Sequence, residues 1–349
     1  MFRIAPVVIF LIFSVSVQAN QPLTIHFIDV GQGDSTFIQS PDGKTMLIDA
    51  GEDNGLAEKY LDSIGVKRID ILVATHPHLD HIGGLPKIVK KYEIGQIVMP
   101  RVTEVTTVTY RQLLEGIRAK GLRVTSGQAG LVLDFGQAVS VECLAPNSAS
   151  YEDINDYSVV LKLSYGGTSF LFTGDATTVS EKEMLRLHKD KLKANVLRVA
   201  HHGSTSSSSA AFLKEIAPSV SILSVGRNNK YGHPTQTVLN RIVHTDQFRT
   251  DLQGTIIVAT NGTEMAAFGP AVNGAYPRLA AVNKQPPAVA EATRPPVATE
   301  YAQTASDVVY VTKSGTKYHR SNCRSAQNAI PINRSEAMQK YGPCGICKP

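Results

Sequence analysis

Three apolar runs in this sequence end in metal-ligating side chains, so the fold must bring three strand ends to one place. The run "RIDILVA" leads into "THPHLDHIGG", which packs His76, His78, Asp80 and His81 into six positions. The run "SFLFTGD" delivers Asp175, and "NVLRVAHHG" delivers His201 and His202. Loops at strand ends are where α/β folds place ligand sites. His76 and His78 stand two apart and so project to one side of an extended loop. Pro77 keeps the segment before it from being helical. Asp80 and His81 fall where the chain turns into a helix, expected through "HIGGLPKIVKKY". One short loop thereby offers two imidazoles to one cation and a carboxylate plus an imidazole to a second. Such donors suit zinc, and also manganese or iron. Asp175 has two oxygens, enough to bridge cations about 3.5–4 Å apart. A polar loop whose histidines merely cap and hydrogen-bond would account for a lone histidine, but not for this constellation.

The text around these clusters is that of a layered α/β fold. "LTIHFIDV", "KTMLIDAG", "RIDILVAT" and "QIVMP" are short, rich in β-branched residues and bounded by Gly, Pro or polar residues, which reads as strands. "RQLLEGIRAK" and "EKEMLRLHKDKL" carry apolar residues at helical spacing. "VVLKLSYGGTSFLFTGDA" has the pattern of a hairpin turning at Gly166 and Gly167. Strands alternate with helices throughout, which defines the class.

Four segments follow from the same reading. Residues 1–19 combine Arg3, an apolar run and a small-residue Val-Gln-Ala end, the pattern of a cleaved secretory signal, with an uncleaved anchor as the rival reading; on the first the protein is exported, periplasmic or extracellular. Residues 20–268 form the large domain, residues 269–306 a Pro/Ala-rich linker, and residues 307–349 a small tail module. The large domain holds 24 Lys and Arg against 26 Asp and Glu, so it lacks the basic bias of a strong phosphate-backbone binder. The tail holds seven against two, and any attraction to DNA or to an envelope polyanion is expected there. Its His319, Cys323, Cys344 and Cys347 have the spacing of a closed Cys3His zinc site, and an odd number of tail cysteines favours metal over disulfides. Cys143, in "VECLAP", reads as a small buried hydrophobe.

H-x-H-x-D-H, followed by G-D and then H-H-G after strands, resembles the metallo-β-lactamase fold of binuclear hydrolases. "HFIDVGQGDSTFI", "LIDAG", "NDYSVVLKLSYGGTSFLFTGDA", "RVAHHGSTSSS" and "NKYGHP" resemble more narrowly the ComEC-type competence hydrolase domain and its secreted relatives. The tail resembles small modules related to the metal-binding part of the Ada repair protein. The resemblance implies an αββα sandwich with the site at one edge of two packed sheets. It implies that His76 and His78 bind a first metal, Asp80 and His81 a second, that Asp175 bridges them, and that one histidine of the His201–His202 pair, His202 in preference, completes the second site. His201 then either faces the phosphate or supports a ligand from behind. Many members of the fold place a third histidine on the first metal; here the corresponding stretch points to Asn155, with Asp153 or Asp156 as substitutes. An oxygen ligand there admits manganese as well as zinc. Asp49 matches a position that supports the ligand loop, and Asp34 one near the centre. Asn228, Tyr231 and His233 match the substrate side. His188, in "EMLRLHKDKL", reads as a solvated surface histidine.

Two such metals would acidify a shared water from about 15.7 towards about 7 and make a bridging hydroxide nucleophile, oriented by Asp80 with His201 and His233 near the substrate. The expected function is phosphodiester hydrolysis by a nuclease-like enzyme. Hydrolysis of a lactone, β-lactam or other ester or amide is the enzymatic alternative. A non-catalytic DNA- or envelope-binding module is the other, and the intact ligand set speaks against it. "STSSSS" reads as a loop leading to a helix cap, without a role in the site.

Overall fold

The computed structural model describes residues 21–102, 105–269, 278–281, 308–311, 317–319, 330–333 and 342–343. The expected leader lies outside the described residues, as do Cys323, Cys344 and Cys347. The chain divides into two compact units, Met1–Ala288 and Val289–Pro349.

Alternating burial builds the first unit. In β1 (Leu23–Phe27) every second residue is buried, and β2 (Thr36–Gln39) and β3 (Thr45–Ile48) continue it as an antiparallel meander. β4 (Arg68–Val73), β5 (Glu93–Met99) and β6 (Val124–Ser126) then add in parallel. A second sheet is made of β7 (Val132–Leu133), β8 (Val139–Ala145), β9 (Val160–Tyr165), β10 (Thr168–Phe172), β11 (Val196–Arg198), β12 (Val220–Leu223) and β13 (Asp246–Arg249). β14 (Ile256–Thr260), β15 (Met265–Phe268) and β16 (Arg278–Ala281) return to the first sheet beside β1. β16 falls inside the stretch read from sequence as linker, because its backbone pairs antiparallel with β15.

Three apolar clusters separate the layers. Leu23, Ile25, Phe27, Ile71 and Val73 of the first sheet meet Leu161, Leu163, Phe170 and Phe172 of the second. The outer face of the first sheet, with Leu47 and Leu72, is covered by α1 (Leu56–Ser63), α2 (Leu79–Ile82), α3 (Leu85–Lys91) and α4 (Val108–Ala119). The outer face of the second, with Val160 and Leu171, is covered by α5 (Thr178–Leu187), α6 (Ala210–Ile216) and α7 (Gln236–Arg241). This is the αββα order. Thr107, Thr177 and Ser209 cap α4, α5 and α6 by accepting backbone N–H groups, as short polar residues at helix starts do.

"HIGGLPKIVKKY" is two helices and not one. A side chain at Gly84 would stand 2.5 Å from the Ala50 carbonyl, so the segment is pressed against the chain after β3 and breaks there. The expected hairpin is present, with Tyr165 opposite Thr168 across Gly166 and Gly167. The second unit contains its own sheet: β17 (Val308–Val311), β18 (Lys317–His319), β19 (Ile330–Asn333) and β20 (Gly342–Pro343), in the order β19-β17-β18-β20.

Candidate metal centre

β11 runs parallel to β10, and the segments that follow β4 and β10 meet, with His76 and His81 against Asp175. Asp175 follows the end of β10 after Thr173 and Gly174, and is 2% exposed. Its Oδ2 is the point on which the histidines converge. His81 Nε2 lies 3.3 Å away, His202 Nε2 3.4 Å, His201 Nε2 3.7 Å and His76 Nε2 4.0 Å. Asp80 Oδ2 is 3.2 Å from His202 Nε2. His78 joins through its Nδ1, 3.0 Å from His76 Nε2. Asp80, His81, Asp175 and His202 thus offer four donor atoms within 4.8 Å of one another. These are the donors expected for the second metal, while His76 and His78 form the expected pair for the first.

Whether the donors fit a cation can be judged from their hydrogen bonds. His81 Nε2, His202 Nε2 and Asp175 Oδ1 are buried and, ion-pair approaches to the carboxylates aside, have no hydrogen-bond partner among the described residues. Orphaned buried polar atoms are rare in folded proteins, and here three converge. The opposite nitrogens are engaged. His202 Nδ1 donates to the Ser224 carbonyl at 2.8 Å, and His81 Nδ1 to Asp49 Oδ2 at 2.7 Å. A carbonyl only accepts, so Nδ1 keeps its proton, and Nε2, once its own proton is displaced, turns a lone pair to the centre. This donor set fits divalent metal.

Asp49 lies behind the ligand loop and is bonded to it. Wholly buried, it also accepts the Thr75 N–H at 2.8 Å and the Thr75 hydroxyl at 2.6 Å, fixing the chain just before His76. Electrostatics follow the packing. Burial holds His76 well below the usual histidine range, aided by the charge of His81. Burial works the same way on His81 and His202, but the Asp175 carboxylate, with Asp49 beside His81, outweighs it and raises both. Asp175 is in turn pulled well below the carboxylate range against its burial by His202 and His81.

Asn155 sits in a single helical turn, Ile154–Tyr157, 7% exposed and with its Oδ1 buried and unpartnered. Of the substitutes considered for it, Asp156 is already engaged elsewhere. Its oxygens accept the Thr177 N–H, the Thr177 hydroxyl and the Ser180 N–H at the start of α5. Asp153 caps the same turn by accepting the Asn155 N–H at 2.9 Å. His188 is not merely solvated, since its Nε2 lies 2.7 Å from Asn147 Oδ1. Cys143 is buried and its thiol pushed up to about 12 by that burial, an inert core residue as expected.

An aromatic rim leads outward. The His201 and His233 rings meet edge to face at 5.8 Å, and Tyr231, 55% exposed, stacks on His233 at 5.8 Å. The loop is held by Asn229, whose amide donates to the Gly226 and His233 carbonyls and accepts the Tyr231 and His233 N–H groups. Asn228 is exposed beside it. Sequence reasoning missed Asn229, and missed that the serine run reaches the site. His201 Nδ1 lies 2.9 Å from Ser206 Oγ, and the buried Glu181 accepts the N–H groups of Ser208 and Ser209. Only Ser209 acts as the helix cap that the run was expected to supply. Also missed was Arg198, which ends an otherwise apolar strand. Of the tail donors, His319 ends β18, and the three cysteines lie outside the described residues.

A family model for the metallo-beta-lactamase superfamily matches residues 28–227. The ComE operon protein 3 of Bacillus subtilis (strain 168) is 32% identical over 253 residues, which are 66% of this chain and 32% of that protein. The competence protein ComA of Neisseria gonorrhoeae is 32% identical over 234 residues, 65% of this chain and 31% of its own. An endoribonuclease, YSH1 of Yarrowia lipolytica, is 27% identical over 199 residues, 50% of this chain and 23% of its own. The chain therefore spans about a third of the length of the two competence proteins.

Proposed function

Because this chain belongs to the metallo-beta-lactamase superfamily of metal-dependent hydrolases, we propose that it is a phosphodiesterase of nuclease type working with two divalent cations. The observation that carries this reading is the convergence of orphaned donors on Asp175 Oδ2, with Asp80 and the His76–His78 pair on either side. His76, His78 and Asn155 would hold one cation, Asp80, His81 and His202 the other, and Asp175 both. Zinc or manganese fits such a mixed nitrogen and oxygen set. Bound there, the pair would supply an acidified water and neutralise the developing charge on phosphoryl oxygens.

The chain's own residues do the rest. Asp80, partly exposed and with its carboxyl held far below the usual range by His202 and His81 against burial, presents an ionised oxygen to the cleft that can orient a water proton. His201, anchored through Nδ1 to Ser206, keeps Nε2 toward the reacting space as a donor to a phosphoryl oxygen. His233, Tyr231 and Asn228 line the side from which the rest of the ester approaches. The competence and endoribonuclease relatives favour a nucleic-acid phosphodiester over a lactam or lactone.

The test is incubation of zinc- or manganese-loaded protein with bis-p-nitrophenyl phosphate, single-stranded DNA and nitrocefin. Turnover of the two phosphodiesters is expected, abolished by His78→Ala and Asp175→Asn; turnover of nitrocefin alone would overturn the reading. The signal-like segment at residues 1–19 argues for an exported protein, and amino-terminal sequencing of the exported form checks cleavage after Ala19. The basic tail, with a zinc held by His319, Cys323, Cys344 and Cys347, is read as a holder of DNA or an envelope polyanion. Undiminished polymer binding after removal of residues 307–349 would reject it.

A further inference from the structure

Behind the candidate centre lies a buried ion pair that the proposed chemistry does not use. Asp34 stands on the turn between β1 and β2 of the first sheet, and Arg198 ends β11 of the second. Their side chains are 8% and 2% exposed, and Arg198 Nη2 pairs with Asp34 Oδ1. The same guanidinium donates through Nη1 to the carbonyl of Gly174, the residue before Asp175, at 2.5 Å. Its Nη2 also lies 3.2 Å from His202 Nδ1.

Asp34 stands at the backs of two imidazoles at once. Its Oδ1 is 3.5 Å from His202 Nδ1, and its Oδ2 is 3.9 Å from His81 Nδ1. The turn that carries it is pressed on the ligand loop. Its backbone N–H donates to the Asp80 carbonyl at 3.0 Å, and Gly33 leaves no room for a side chain, which would fall 2.1 Å from that same oxygen. Asp34, Asp49 and His81 also bring donor atoms within 4.8 Å of one another, which superficially marks a further metal group. The neighbours exclude it, since Arg198 holds Asp34 while Thr75 and His81 Nδ1 hold Asp49.

His81 comes from one sheet and His202 from the other, yet their Nε2 atoms must share one cation. Buried ion pairs contribute little net stability, because desolvation offsets the Coulombic gain. What this one supplies is geometry across the gap between the sheets. Carboxylates behind metal-bound imidazoles commonly orient the ring and set the affinity of the site. Arginine suits the task because its fork reaches two acceptors at fixed angles, which a lysine cannot do. We propose that Asp34 and Arg198 are a positioning pair that fixes His81 and His202 relative to each other and to Asp175, and so decides occupancy of the metal position those three share with Asp80. The proposal rests on the two-cation reading above.

The experiment uses the full chain stripped by chelator and titrated with zinc or manganese, with bound metal counted and each affinity measured by chelator competition. Wild type is expected to bind two cations in the large domain. Asp34→Asn and Arg198→Met are each expected to weaken one of them about 10- to 100-fold, with the other changed far less and the melting of the stripped protein still cooperative. The double variant Asp34→Asn/Arg198→Met should be no weaker than the worse single one, since the two act as a unit. Arg198→Lys should bind between wild type and Arg198→Met. If Arg198→Met fails to fold, Arg198→Lys carries the decision. Variants that fold and retain both cations at wild-type affinity overturn the pair's role. A wild type that binds only one cation in the large domain overturns the two-cation reading instead, so the two failures are distinct.

Discussion

His81 Nδ1 donates to Asp49 Oδ2 at 2.7 Å, and neither side chain touches solvent. The bond joins the end of β3 to α2, which follows β4, the parallel neighbour of β3 in the first sheet. It turns the other face of the imidazole to Asp175 and the centre. Asp49 adopts a positive φ of 57°, an arrangement that non-glycine residues accept where surrounding bonds hold them. Here those bonds are three, from Thr75 N–H, the Thr75 hydroxyl and His81.

Asp49→Ala should therefore affect stability and metal binding together. It leaves the Thr75 N–H buried without a partner, at about 1–3 kcal/mol, and frees the His81 ring, at about 10- to 100-fold in affinity. Urea denaturation of the stripped protein and chelator competition measure the two losses separately. Unchanged affinity with reduced stability would confine Asp49 to a structural part.

Cation binding should strengthen as pH rises. The pKa values of His81 and His202 are raised by Asp175 and its neighbours, so at neutral pH the metal-free centre retains protons that a cation must displace. Acid favours the protonated rings and so weakens binding. Calorimetry in buffers of different ionisation enthalpy, between about pH 6 and about pH 8, should detect proton release, and pH-independent binding would contradict the arrangement.

Tyr231→Ala should act on substrate and leave the fold intact. The ring is 55% exposed and packs on His233. Stacking of a base on such a ring is worth about 1–3 kcal/mol, so KM for a nucleotide diester should rise about 5- to 150-fold by that measure, with kcat and melting temperature little changed. A proportional fall in kcat would place Tyr231 in the chemistry.

Phe170→Ala tests the core that holds the two sheets together. The side chain is fully buried and its ring stacks 6.4 Å from Phe172 between the sheets. A loss of about 3–5 kcal/mol is expected in denaturant unfolding.

Much of the fold is legible in short segments of the chain. The period-2 burial of "LTIHF" gives a strand with one face inward, and the apolar "RIDILV" a strand buried on both sides. The clusters beginning at His76, Asp175 and His201 are local, so their residue types and spacing alone disclose candidate ligands. Asn155 is reached through family likeness, and its buried, unpartnered Oδ1 is in keeping with that reading. Arg198, Ser206 and Asn229 are not legible in this way. A lone arginine ending a strand, one serine among several and one asparagine beside another carry no distinguishing pattern. Their roles arise from partners far away in the chain or from loop shape.

The layered α/β class and the candidate ligands are written in the amino-acid order, because alternation of burial and the spacing of donors are properties of short segments. How the donors are divided is a matter of tertiary packing alone. Setting two sheets face to face brings Asp34 against Arg198, 164 positions apart, takes Asp156 for the start of α5, and leaves the Nε2 atoms of His81 and His202 as the unpartnered ones. A hydrogen bond satisfied in one place is a ligand withdrawn from another, and that allocation depends on distances that no local pattern of residues encodes.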